Sequence, residues 1–176
     1  MILTLTAVVG LALYERRAAV AEAILERWVV PRLEPERFPK IAARLIFETG
    51  ADLVVLAEIS ARSNLIKNID GVKRGEPGWE PQKNPRPLFA SLRDPVAVVE
   101  LIEGRVSCRD ISLQDGAEEQ ELARLGLRRR CYLAVPPLLG MVVGGIEIAW
   151  AVPPPAEREA GAGRLLYQAA TELATW

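Results

Sequence analysis

The chain has 176 residues, with 22 basic and 23 acidic side chains and a net charge of −1. That length suits one folding unit, and with half of its residues hydrophobic there is material for a core, while the near-neutral charge gives nucleic acid no field to follow. The chain contains no histidine, which removes Ser-His-Asp and Cys-His catalysis, histidine phosphotransfer, and the commonest ligands of haem and zinc.

Met1 to Tyr14 (MILTLTAVVGLALY) is almost wholly apolar and is closed by Glu15, Arg16 and Arg17. As a helix it would span about 21 Å, short of the roughly 30 Å of bilayer hydrocarbon. Two readings stay open: a membrane contact, or a buried helix within a dimer. In the first, the arginine pair would keep the rest of the chain in the cytoplasm, attached to the inner face of the membrane. No basic residue precedes the stretch, so it lacks the form of a cleavable secretory signal. Helical spacing runs on from Glu15 to about Val30, with Val20, Ile24 and Trp28 on one stripe, until Pro31 stops it. Residues 1–30 are therefore predicted as an N-terminal helix and 36–176 as the folded domain.

Phe38, Ile41, Ala42, Leu45 and Ile46 then fall at helical spacing, with Gly50 as the stop. Asp52 to Ile59 reads as a central strand, and Asn64 to Ile69 as a second one ended by the turn signal Asp70-Gly71. Arg74 to Arg93 holds Pro77, Pro81, Pro85 and Pro87, so it is expected to be an extended loop. Its Trp79 either pins that loop to the sheet or covers a pocket. Asp94-Pro95 opens a helix to Ile102, with Gly104 just beyond it. Asp115 and Glu118 form a capping pair for a short helix stopped at Gly126.

Arg128, Arg129 and Arg130 stand at the start of a strand, where alternation splits them between two faces and solvated side chains are the default; with an anchored N-terminus they would meet anionic lipid. Cys108 and Cys131 fall in strands and are expected as reduced core thiols. Gly144-Gly145 belongs to a hairpin and has no following lysine, so it forms no phosphate loop. The last helix is predicted from Ala156 to Trp176, with Leu166, Ala169, Leu173 and Trp176 along one seam.

Four phrases, taken in order, resemble the GAF family of small sensory modules related to PAS domains. FPKIAARLIFETGADLVVLAEIS (Phe38 to Ser60) is similar to its opening helix and first strand, and EGRVSCRDIS (Glu103 to Ser112) to its turn and strand ending in an Asp-containing bend. LARLGLRRRCYLAVPPL (Leu122 to Leu138) resembles its helix, glycine stop and strand running into a Val-Pro pair, and GMVVGGIEIAWAVPPP (Gly140 to Pro155) its last hairpin. The resemblance covers Glu36 to Trp176 and implies an α/β (α+β) fold, an antiparallel sheet flanked by helices on both faces. It further implies a non-catalytic ligand-binding or signalling module, probed by an unknown small molecule or protein partner and dimeric through its first and last helices.

The resemblance gives no cofactor, catalytic residue or metal ligand. Cys108, Arg109 and Asp110 stand in the strand-to-bend position where bilin-binding relatives carry pocket residues, and with Trp79 they are the candidate ligand-binding residues. The chromophore-side histidine of those relatives has no counterpart in this chain. One alternative is a GAF fold serving as a membrane-associated interaction module. Another is the thiol-dependent free-methionine-sulfoxide reductase, whose Cys-containing phrases are not reproduced around Cys108 or Cys131.

Overall fold

Proline and spacing set the first elements. A computed structural model describes residues 31–60, 63–88, 95–112 and 117–176. Residues 32–175 form one unit, and 1–31 with Trp176 another. Met1 to Tyr14, the Val20 to Trp28 stripe, Phe89, Asp94 and Asp115 lie outside the described residues.

After β1 (Arg32–Leu33) and a single 3-10 turn at Pro35–Arg37, helix α1 (Phe38–Thr49) buries Phe38, Ile41, Ala42 and Leu45. Gly50 ends it at φ 71°, the left-handed cap conformation that glycine adopts without a Cβ penalty.

β2 (Leu53–Ser60) and β3 (Leu65–Lys73) pair antiparallel, and β4 (Arg86–Pro87) adds a short edge. After α2 (Pro95–Ile102) come β5 (Ser107–Asp110), α3 (Ala117–Arg124), β6 (Arg129–Val135) and β7 (Gly144–Trp150). The six strands lie in the order β4-β3-β2-β7-β6-β5, every neighbouring pair antiparallel. β2 is flanked on both edges, which is why nearly all of its side chains are buried.

α4 (Ala156–Glu172) closes the chain with β8 (Ala174–Thr175), which pairs with β1. One face of the sheet (Val54, Leu56, Leu133, Ile146, Ile148) packs under α1 and α4 in the main core. The other face packs against α2 through Leu101 and against α3 through Leu122. Helices thus cover both faces of an antiparallel sheet, as the sequence implies.

Four expectations are corrected. Asp70-Gly71 does not end a strand. β3 runs on to Lys73, with Ile69 bulged between the Leu56–Asp70 and Ala57–Asn68 pairs. Gly71 is needed for close approach, because a Cβ there would stand 2.6 Å from Trp79 Cζ3.

The final helix stops at Glu172, since the chain turns to pair β8 with β1, and Glu34 N donates to Leu173 O at 2.8 Å. Leu166, Ala169 and Leu173 of the expected seam are consumed within the main core, without Trp176.

The cysteines are not reduced thiols. Antiparallel register sets Cys108 opposite Cys131, and a disulfide joins them. Nor are all three arginines solvated: Arg129 pairs with Glu159 and Asp110, and Arg130 is only 2% exposed, which also removes it from any lipid-facing surface.

Candidate ligand-binding site

Alternation along β6 sends Cys131 and Leu133 toward the main core, and Arg130 and Tyr132 to the face covered by α2 and α3. Val55, Ala57 and Ile59 of β2, Ile66 of β3 and Leu101 of α2 wall a cavity of about 40 Å³ on this face. Its polar lining is Asn68, Arg130, Tyr132 and Glu147.

A buried charge cluster supports these groups. Arg130 forms ion pairs with Glu119 of α3 and, at 3.4 Å, with Glu147 of β7. Glu119 is itself 3% exposed, and its second oxygen accepts a hydrogen bond from Ser112 N at 3.0 Å. Arg109 of β5 approaches Glu119 at 3.8 Å and donates to Tyr132 Oη at 3.3 Å.

Both guanidinium groups lie over the Tyr132 ring, Arg109 at 5.0 Å and Arg130 at 5.6 Å from its centroid. Two cations and two carboxylates balance. Burial pushes the Tyr132 phenol above its ordinary pKa, outweighing the Ser107 hydrogen bond and the nearby Arg109 and Arg130 charges that act the other way. At the opposite side of the cavity Arg86 donates to Asn68 Oδ1 at 3.3 Å.

The chain is similar to the GAF domain of a two-component sensor histidine kinase from Bacillus halodurans, at 17% identity over 77% of this chain and 92% of that one, with a TM-score of 0.55. It is also similar to the phycocyanobilin-bound GAF domain of a cyanobacterial phytochrome, at 13% identity over 73% and 77% of the two chains and a TM-score of 0.54. A third is the blue-light absorbing form of the Thermosynechococcus elongatus PixJ GAF domain, at 14% identity over 77% and 82%, with a TM-score of 0.54.

This chain has the GAF fold. Neither a family model nor a curated protein sequence matches it. Among the described residues of this GAF fold, no helix is long and apolar enough to cross a membrane.

The fold separates the four residues singled out from sequence. Arg109 stands on the cavity face, paired opposite Arg130, whereas Cys108 and Asp110 face α4. Trp79 lies over Gly71 beside Pro81 and lines a neighbouring hollow of about 20 Å³, so it fastens the proline-rich segment to the sheet.

Sequence reasoning missed Asn68, Glu119, Arg130, Tyr132 and Glu147. Two signals could have found three of them: the alternation of Arg130, Tyr132 and Ala134 in β6, and a lone glutamate inside the otherwise apolar GGIEIAW of β7. Nothing in the short helix α3 marks Glu119 as buried, because its burial depends on Arg130 arriving from a different element.

Proposed function

We propose that this GAF domain is a non-catalytic sensory module that binds a small ligand on the Arg130 face of its sheet. The balanced charge cluster beneath an apolar-walled cavity carries this reading. Buried ion clusters add little net stability over an aliphatic core, so their place at a cavity is better explained by recognition. The GAF structural neighbours support a sensory, ligand-binding role, and one of them holds phycocyanobilin.

A cavity of about 40 Å³ has room for little more than water. Binding therefore spreads α2, whose Leu101 walls the cavity, away from the sheet. A ligand that shifts Arg130 and Tyr132 also shifts Cys131 and Leu133 on the same strand, beneath α4, and so biases the packing of α1 and α4.

A thermal-shift screen of small metabolites tests this on the wild type and on Gly145→Leu. A Cβ at Gly145 meets only ordinary contacts, at 3.7 and 3.8 Å, so the longer side chain can enter the cavity. Binding compounds should raise the Tm of the wild type and not that of the variant. Equal shifts in both proteins, or none in either, would sink the proposal.

Dimerisation through the Val20 to Val29 stripe and the last helix belongs to the same reading, and the exposed Tyr167 of α4 supports it. Sedimentation of Ile24→Asp with Tyr167→Asp that matches the wild type would defeat it. A membrane contact through Met1 to Tyr14 rests on that stretch's apolar sequence, and liposome association that survives deletion of 1–14 would remove it.

The second reading, an interaction module, is favoured by one patch. Val99 and Ile102 of α2 and Leu138 and Leu139 of the β6–β7 turn are exposed together, Leu139 at 72%, and Gly140 N donates to Ile102 O at 2.9 Å. Pull-down of the same protein by wild type and by Leu139→Asp alike would exclude the patch as its docking surface.

A further inference from the structure

We propose that reduction of the Cys108–Cys131 disulfide creates a site for one thiophilic divalent cation of the zinc class, held by the two sulfurs and the Glu159 carboxylate. The two Sγ atoms and a Glu159 oxygen lie within 4.8 Å of one another, on the face of the sheet away from the ligand cavity. Each donor comes from a different element: β5, β6 and the first turn of α4. Directly opposed residues of an antiparallel pair have Cβ atoms about 4.5–5.5 Å apart. Two thiolates so placed can share one ion at a Zn–S distance of roughly 2.3 Å, with water completing a tetrahedron.

Charge favours the same assignment. Two thiolates and one carboxylate carry −3, and a divalent ion supplies +2. Arg129, whose Nε and Nη2 donate to the two Glu159 oxygens at 2.6 and 2.8 Å, supplies +1, which it shares with the exposed Asp110. A carboxylate has lone pairs enough to keep one of those hydrogen bonds while binding the ion through its other oxygen. Arg129 also retains Asp110 at 3.2 Å, so it acts as an orienting neighbour of the ligand rather than a competitor.

The redox step is a thiol–disulfide exchange. A cellular dithiol attacks the half-buried Cys108 sulfur on the edge strand β5 and leaves as its own disulfide. Two electrons and two protons pass to Cys108 and Cys131, and the cation then displaces those two protons to solvent. The oxidised protein has no thiolate to offer, so metal occupancy reports the redox state.

The full chain, reduced anaerobically with a phosphine that ends as its oxide with water as the oxygen donor, is titrated with Co²⁺ in parallel with the oxidised chain. One Co²⁺ per reduced chain with thiolate-to-cobalt charge-transfer absorption is expected, and no such band in the oxidised protein. Reduced Glu159→Gln should bind about tenfold or more weakly. Absence of the band in the reduced wild type, or an equal band in the oxidised one, overturns the proposal. So does wild-type affinity in a folded Glu159→Gln protein. The wild-type comparison involves no substitution, so it remains decisive if that variant does not fold.

Discussion

Arg130 is held by two carboxylates from different elements at a position with almost no solvent, and truncating it removes that cation from both of them. Arg130→Ala should cost about 3–5 kcal/mol, the usual penalty for breaking a buried ion pair by removing one partner. Urea denaturation measures it, and a loss below roughly 1 kcal/mol would show that water reaches Glu119 and Glu147 freely. Tyr132 adds a pH dependence of known sign. Its folded pKa lies above the unfolded value of about 10, so the folded state holds the phenolic proton more tightly. That contribution is fully present below the unfolded value and is lost as pH rises through the folded one. Tyr132→Phe should therefore flatten the alkaline fall in stability above about pH 10, and an unchanged slope in Tm against pH would contradict it. At this scale the sequence was only half legible. Alternation places Arg130 and Tyr132 on one face of β6, but nothing local tells that β5 will bring Arg109 and α3 will bring Glu119 to them.

Among the elements, β5 is a short edge strand, four residues paired to β6 alone and tied to it by the disulfide. A loop closed over 23 residues of sequence should contribute about 3 kcal/mol to stability. Reduction is thus expected to lower the urea midpoint, with amide exchange rising first in Ser107–Asp110; unchanged protection there would show that pairing to β6 suffices. The proline-rich segment is fastened to the sheet by β4 at one end and by Trp79 over Gly71 at the other. Gly71→Ala would set a Cβ 2.6 Å from Trp79 Cζ3 and 3.1 Å from Pro81 Cδ, so Trp79 must move. A cost of roughly 1–3 kcal/mol and a red-shifted tryptophan emission are expected, and wild-type values for both would mean that the ring yields without loss.

Helices and strands with strong periodicity were readable from sequence to within a residue or two, as α1 and β2 show. The errors share a cause. Asp70-Gly71 looks like a turn, Ala174 to Trp176 like more helix, and Cys108 and Cys131 like separate core thiols, because each outcome is set by pairing with another strand: β2, β1, or the facing strand.

Across the unit of residues 32–175, the sheet separates two chemistries. One face is an aliphatic core under α1 and α4, and the other carries the cavity, the charge cluster and the smaller helices. Such a division suits the proposed sensor: a ligand on the cavity face would disturb that face, and α1 and α4, packed on the opposite one, would receive the change through the strands between them. The fold as a whole was visible from the order of four phrases, whereas the site was not, because a cavity is a property of elements brought together and no short run of residues encodes it.

Native mass spectrometry of the gently purified full chain, beside Gly145→Leu, is the most direct measurement. A discrete added mass on the wild type that the variant lacks is expected, and it would identify the ligand class. A wild type without added mass in every preparation, or the same added mass on both proteins, would contradict a ligand held on the Arg130 face.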